Sequence, residues 1–163
     1  MEPNPFSTDV LLASPSRYPV EKDFLHHPFR GNQHTGGIQG LSRREAADRF
    51  SNIGRYGPQA ESMLATPDAE THRAFADSHS RAAATLRSMT EQEAASEKPK
   101  QDRIDALTNA ADHHDLAAQG HTDAARVAEG NTGENPQTST DAAIALSRVA
   151  DGTTDTAIHA YGL

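Results

Sequence analysis

Segments in which apolar residues recur at helical spacing follow one another from Ser42 to Tyr161, and this pattern constrains the fold most. Apolar residues at every third or fourth position mark the buried face of an amphipathic helix. Many of them are alanines, which bury little area per residue, so the core is expected to be thin. The sequence therefore predicts an all-α fold: a small antiparallel bundle of about four helices, preceded by a long extended N-terminal arm.

Capping signals indicate where the first helix begins. Ser42 and Glu45 have the spacing of a capping box, in which each side chain accepts a hydrogen bond from the other's backbone amide. We expect Gly54 and the pair Gly57-Pro58 to end this helix. A short second helix is expected over residues 58–65, with Met63 and Leu64 facing inward. The apolar face predicted for the first helix consists of Ala46, Ala47, Phe50 and Ile53.

Two longer helices follow. Thr66 is the expected N-cap of the first, with a proline next to it and an acidic residue in the first turn. This helix should end near Glu97, and the next should run from Asp102 to about Glu129, with Gly120 weakening its middle. The apolar face of the first contains Phe75, Ala82, Leu86 and Met89, and that of the second contains Ile104, Leu107, Ala111, Ala118 and Ala125.

The last helix is expected to follow a polar loop over residues 131–137. Thr138 or Ser139 would be its N-cap, and Gly152 would break it before a final turn over residues 156–161. Its predicted apolar face contains Ala142, Ala143, Leu146, Val149 and Ala150.

The composition excludes several classes of protein. There is no cysteine, so neither disulfides nor thiolate metal sites are available. No apolar run approaches the length of a membrane span, and the N-terminus does not have the pattern of a secretory signal. A net charge of −8 over 163 residues argues against a general DNA coat. Neither a membrane nor nucleic acid is therefore an expected partner.

Residues 1–40 differ from the helical part, residues 41–163. They contain five of the nine prolines, and their apolar residues show no helical period. They are nevertheless too rich in Phe, Leu and Val for a linker, so this arm is expected to fold onto a surface. The predicted anchors are Phe6, Leu11, Leu12, Phe24, Leu25 and Phe29.

The arm ends in the element His-Pro-Phe-Arg-Gly-Asn-Gln-His-Thr-Gly-Gly, residues 27–37. Its glycines and its asparagine favour turns, while the adjacent Phe29 and Arg30 combine an apolar anchor with a fork of hydrogen-bond donors. The element is open to two interpretations, a docking motif and an ordinary loop leading into the first helix. As a docking motif, its further contact residues would be Gly31, Asn32, Gln33 and His34.

This element resembles one that recurs in small head-region and other virion proteins of tailed phages, notably phages of actinobacteria. The resemblance covers about eleven residues. It implies a minor capsid, cement or other head-associated protein without a cofactor and without catalysis. Its partners would be the major capsid protein, other virion subunits or a second copy of this chain, in the phage head and, during assembly, in the host cytoplasm. The alternative is a small helical regulatory or adaptor module that binds a host protein or nucleic acid.

Residues 41–57 are locally basic in an acidic chain. The four arginines outnumber Glu45 and Asp48. They are predicted to form the solvated face of a helix, and contact with an anionic partner is the alternative. The four are Arg43, Arg44, Arg49 and Arg55.

Histidines recur in a faint internal repeat. The segment from His72 to His79 aligns with the segment from His114 to His121, at an offset of 42 residues. In two antiparallel helices this arrangement would pair His72 with His121 and His79 with His114. We expect these pairs to hydrogen-bond across an alanine-rich seam. The alternatives are pH sensing and a metal or enzyme site completed by the nearby carboxylates Asp77, Asp112 and Asp115.

Overall fold

A computed structural model describes residues 39–62, 66–130 and 132–163. These ranges contain helices and no strand, which confirms the all-α prediction for them. The five helices are α1 (Arg43–Ser51), α2 (Gly57–Glu61), α3 (Ala69–Ala94), α4 (Gln101–Ala128) and α5 (Pro136–Ala160). None of these helices is both long enough and apolar enough to cross a membrane. The predicted contacts of the arm and of Met63 and Leu64 lie outside the described residues.

The predicted capping box begins α1. The Ser42 hydroxyl accepts a hydrogen bond from the Glu45 amide at 3.1 Å, and the Glu45 carboxylate accepts one from the Ser42 amide at 2.8 Å. These hydrogen bonds lower the pKa of Glu45. The helix ends at Ser51, just before Gly54, and its buried side chains Ala46 and Phe50 belong to the predicted apolar face.

The N-caps of α3 and α5 differ from the predicted ones. Asp68, and not Thr66, caps α3, since its carboxylate accepts from the amide of Thr71 at 2.8 Å. Asn135, and not Thr138 or Ser139, caps α5, with Pro136 as the first helical residue. In both cases a side-chain oxygen outside the first turn reaches amides that have no partner within the helix.

Helix α5 continues through Gly152, where a break was predicted. Packing of residues on both sides of the glycine outweighs its cost of about 1 kcal/mol. The predicted buried face was also wrong in part, because Val149 is 48% exposed and Ala142 is exposed. The buried residues of α5 are Thr140, Ala143, Ser147, Ala150, Asp151, Thr154 and Ala157.

Helix α4 is central, because it packs extensively against both α3 and α5. Side-chain pairs run in opposite directions along α4 and each neighbour, so α3 and α5 are parallel to each other. Close packing between the α3 and α5 backbones is sparse in the described residues, and side chains bridge the space between them. The larger apolar residues of the core are Leu41, Phe50, Ile53, Tyr56, Leu86, Met89, Leu107 and Tyr161.

A buried carboxylate attaches the α1–α2 segment to α5. Asp151 accepts hydrogen bonds from the amide of Tyr56 at 3.0 Å and from that of Gly57 at 2.9 Å. Burial raises the pKa of Asp151, and the two amide hydrogen bonds oppose this effect. These contacts place the Tyr56 ring over two buried histidines, His79 and His114.

Candidate functional site

Four histidines are buried between α3 and α4. His72, His79, His114 and His121 each expose 1% or less of their surface. On each helix the two histidines are seven residues apart, about two turns, and therefore lie on one face. The Nδ1 atoms of His72 and His121 are 3.1 Å apart, and those of His79 and His114 are 2.9 Å apart. Both predicted cross-helix pairs are therefore confirmed.

Helix α5 supplies hydroxyl groups to these histidines at the same seven-residue spacing. Thr140 Oγ1 lies 3.2 Å from Nε2 of His72, and Thr154 Oγ1 lies 2.8 Å from Nε2 of His114. Ser147 Oγ lies 2.9 Å from Nε2 of both His79 and His121. The seven side chains thus form one continuous chain of hydrogen bonds, which we call the histidine network.

Thr154 determines the positions of the protons at one end of the network. Its hydroxyl donates to the carbonyl of Ala150, at 2.9 Å, since a carbonyl can only accept. The Thr154 oxygen must then accept from Nε2–H of His114. A neutral imidazole carries one proton, so Nδ1 of His114 is an acceptor and receives the Nδ1–H of His79.

The remaining protons of the network are fixed in the same way. Because His79 carries its proton on Nδ1, its Nε2 accepts from the hydroxyl of Ser147. The oxygen of Ser147 accepts from Nε2–H of His121, whose Nδ1 accepts from Nδ1–H of His72. The hydroxyl of Thr140 then donates to Nε2 of His72. The histidines of α3 are thereby assigned the Nδ1–H form and those of α4 the Nε2–H form.

Burial keeps these imidazoles neutral. Loss of hydration lowers the pKa of His79 to about 3 and those of His114 and His121 to about 4. The pKa of His72 is also lowered, and the nearby carboxylate of Asp68 partly offsets the effect of burial. Every buried side-chain nitrogen and oxygen of the described residues has a hydrogen-bond partner, so no buried polar atom of the network is left unsatisfied.

The carboxylates suggested as further metal ligands do not reach the histidines. Asp77 is exposed, and Asp112 and Asp115 both pair with Arg87 on the surface. In residues 39–62, 66–130 and 132–163, no three His, Asp or Glu side chains converge in a way that would hold a metal ion. The hydrogen-bonded interpretation of the histidines is the one that agrees with their contacts.

A second buried polar cluster lies at the opposite end of the long helices. The Tyr161 hydroxyl donates to Oε1 of Glu93 at 3.0 Å, and the amide of Lys100 donates to Oε2 at 3.1 Å. The guanidinium of Arg103 lies 3.6 Å from the Glu93 carboxylate and 4.2 Å from the centroid of the Tyr161 ring. This cluster joins the end of α3, the start of α4 and the end of α5.

Two of the four arginines predicted as a basic face contact the C-terminal part of the chain. Arg43 donates to the carbonyl of Gly162 at 2.6 Å, and Arg55 forms an ion pair with Asp155. Arg44 is exposed and Arg49 is partly exposed. Their contact with an anionic partner stays a prediction.

Sequence reasoning identified the histidine pairs but missed their hydroxyl partners. A signal was present, since Thr140, Ser147 and Thr154 repeat at seven residues as the histidines do. The predicted docking residues, from Phe6 to His34, lie outside the described residues.

No protein-family model matches the sequence, and no curated protein or solved structure shows significant similarity to it.

Proposed function

We propose that this protein is a non-catalytic structural component of a phage particle: a minor capsid, cement or other head-associated protein. Residues 41–163 serve as a rigid antiparallel helical module, and residues 1–40 bind the assembled capsid. The element at residues 27–37 supports the phage setting through its resemblance to virion proteins.

The proposal of a non-catalytic protein is supported by the histidine network, in which each ring nitrogen already has a hydrogen-bond partner. A general base needs a nitrogen or oxygen within hydrogen-bonding reach of a substrate. Both ring nitrogens of His72, His79, His114 and His121 are instead occupied by side chains of the same protein, and all four rings are buried. The network is suited to fixing how the three long helices pack, which favours a scaffold.

The composition of residues 1–40 supports binding through an apolar arm. Ordering such a segment on a partner costs conformational entropy, which buried aromatic and aliphatic anchors must offset. Phe29 and Arg30 belong to residue types that are enriched in protein interfaces. A cement protein binds the assembled shell in preference to free subunits and thereby stabilises the shell by mass action.

The first test is quantitative mass spectrometry of purified particles from the source. A fixed ratio of this chain to the major shell subunit, near one per subunit or per capsomer, is expected for a cement protein. A handful of copies per particle would indicate a position at the vertex or connector. Absence from particles would contradict the proposal and favour the adaptor alternative.

A rebinding assay tests the role of the arm. Particles stripped of the protein are incubated with the intact chain, with the double variant F29A/R30A, or with the matched surface variant R44A. We expect only F29A/R30A to lose binding. We also expect binding of the intact chain to depend weakly on salt. Loss by R44A, with binding that falls steeply as salt rises, would instead assign the contact to the arginines of α1.

A further inference from the structure

The histidine network has no place for an additional proton on its α4 histidines. In the neutral arrangement, Nδ1 of His114 accepts from His79 and Nδ1 of His121 accepts from His72. A proton added to either Nδ1 would set two N–H groups against each other at 2.9–3.1 Å. Neither group could then donate to the other, so the cross-helix hydrogen bond would be lost.

The α3 histidines accept from hydroxyl groups, which can rotate. A proton on Nε2 of His72 or His79 would require the hydroxyl of Thr140 or Ser147 to turn away. The hydrogen bond would re-form with reversed polarity, but a charged imidazolium would remain in a site from which water is excluded. Burial of an unpaired charge is strongly unfavourable.

Among the described residues no carboxylate is placed to pair with an imidazolium in the network. The carboxylate of Asp68, the N-cap of α3, partly offsets the effect of burial on the pKa of His72, but it is engaged in capping the helix. On α4 Asp115 raises the pKa of His114, whereas His113 lowers it. Asp115 is exposed and pairs with Arg87.

The other elements packed against the four histidines also place no carboxylate beside them in the described residues. The α1–α2 segment presents the neutral ring of Tyr56 to His79 and His114, and Phe75 of α3 stacks on His121. The buried acid of α5, Asp151, is occupied by the amides of the α1–α2 segment. In the described residues no carboxylate hydrogen-bonds to any of the four buried rings.

We propose that the histidine network is an acid-sensitive latch: protonation under mildly acidic conditions breaks the side-chain bridges among α3, α4 and α5 and opens the bundle. The bridges matter because α3 and α5 have little direct backbone packing in the described residues. This device does not depend on the proposed role in a virion.

The direction of the pH dependence follows from the pKa values. An unfolded histidine has a pKa near 6.5, whereas those of His79, His114 and His121 in the fold are about 3 to 4. Unfolding therefore takes up protons. The contribution of the histidine network to stability is fully present above about pH 6.5 and is lost as the pH falls toward 4. The raised pKa of Asp151 acts in the opposite direction, but it is one group against four.

The test is the unfolding equilibrium of the full-length protein in urea, followed by circular dichroism at several pH values from 8 to 4.5. Between pH 6 and 5 the slope of the logarithm of the unfolding constant against pH should correspond to an uptake of about two to four protons. The variant H79L/H114L should take up about two fewer protons on unfolding. Leu86 and Leu107, fully buried one heptad away on the same two helices, show that leucine fits this face.

The matched control is H113A/H159A, which removes two histidines outside the network, each hydrogen-bonded to a carbonyl of its own helix. Its slope should equal that of the unmodified protein. If H79L/H114L does not fold, H72L/H121L provides the same comparison, and proton uptake on unfolding of the unmodified protein is measured directly with a pH indicator. An uptake below about one proton, or equal slopes in the unmodified protein and a folded double variant, would overturn the proposal.

Discussion

At the scale of single residues, the direction of the histidine network depends on Thr154. Its hydroxyl donates to the carbonyl of Ala150, and this hydrogen bond fixes the position of the proton on each histidine and on the Ser147 and Thr140 hydroxyls. The reverse direction has the same number of histidine hydrogen bonds. It would require the Thr140 hydroxyl to donate elsewhere, and the carbonyl of Pro136, four residues earlier on the same helix, is the natural acceptor.

The substitution Thr154→Val should therefore reverse the network. Valine leaves Nε2–H of His114 without an acceptor, so the proton should move to Nδ1, and the other three histidines should exchange tautomers in turn. Nitrogen-15 NMR of the imidazole rings distinguishes Nδ1–H from Nε2–H directly. In the unmodified protein His72 and His79 should be Nδ1–H, and in the variant they should be Nε2–H.

Thr153→Val is the control for this experiment. The Thr153 hydroxyl donates to the same carbonyl of Ala150 at 2.9 Å, and it is not hydrogen-bonded to any of the four histidines of the network. Its loss should leave all four tautomers unchanged. Unchanged tautomers in Thr154→Val would show that the direction of the network is set by something other than this hydroxyl.

At the scale of helices, the close approach of α2 to α5 depends on Gly57. A β-carbon at this position would lie 2.7 Å from Cγ of Arg148 and 3.2 Å from its Cα. The backbone of α5 cannot move without disturbing Asp151, which holds the amide of Gly57. Gly57→Ala should therefore lower the free energy of unfolding in urea by about 1–3 kcal/mol, as overpacking usually does.

Gly152→Ala is expected to have the opposite effect. Gly152 is exposed within α5, and apart from its own helical turn no atom of the described residues lies within 4 Å of a β-carbon placed there. Alanine has the higher helix propensity and loses less backbone entropy on folding, so the free energy of unfolding should rise by about 0.5–1 kcal/mol. A fall in stability would indicate that α5 needs flexibility at this position. The two glycine variants are measured together at pH 7.5.

The sequence predicted the existence of the helices better than their limits. Capping chemistry placed the start of α1 correctly, because Ser42 and Glu45 satisfy each other without any tertiary contact. The predicted break at Gly152 was wrong because the preference of a single glycine is weaker than the packing of a 25-residue helix.

The buried face of α5 was harder to predict for a different reason. A search for apolar stripes treats Thr140, Ser147 and Thr154 as surface residues, although histidines on the other helices make them buried partners. The pairing of histidines between α3 and α4 was predictable, because it needed only a seven-residue spacing and an antiparallel arrangement. The seven-residue repeat of the three hydroxyl residues is visible in the sequence, but their contact with histidines of other helices depends on tertiary structure.

At the scale of the whole molecule, one heptad register runs along each long helix. On α3 it passes from the buried histidines through Leu86 to Glu93, and on α5 it passes from Thr140 to Tyr161. The register therefore has a polar layer at each end and an apolar layer, with Leu86 and Leu107, between them. Alanine-rich faces are nearly uniform and would tolerate a shift of one helix along another. Hydrogen bonds at both ends penalise such a shift, so we infer that these polar layers specify the alignment of the bundle.

Tyr161→Phe tests this inference at the end remote from the histidines. Phenylalanine keeps the ring beneath Arg103 but removes the hydroxyl that donates to Glu93. The carboxylate keeps the amide of Lys100 and the guanidinium of Arg103, so the expected loss in the free energy of unfolding is about 1–3 kcal/mol. Combining Tyr161→Phe with Glu93→Gln should cost less than the sum of the two single effects, because the residues are in contact. Additive losses would mean that the hydroxyl and the carboxylate act independently, and that this layer does not align α3 with α5.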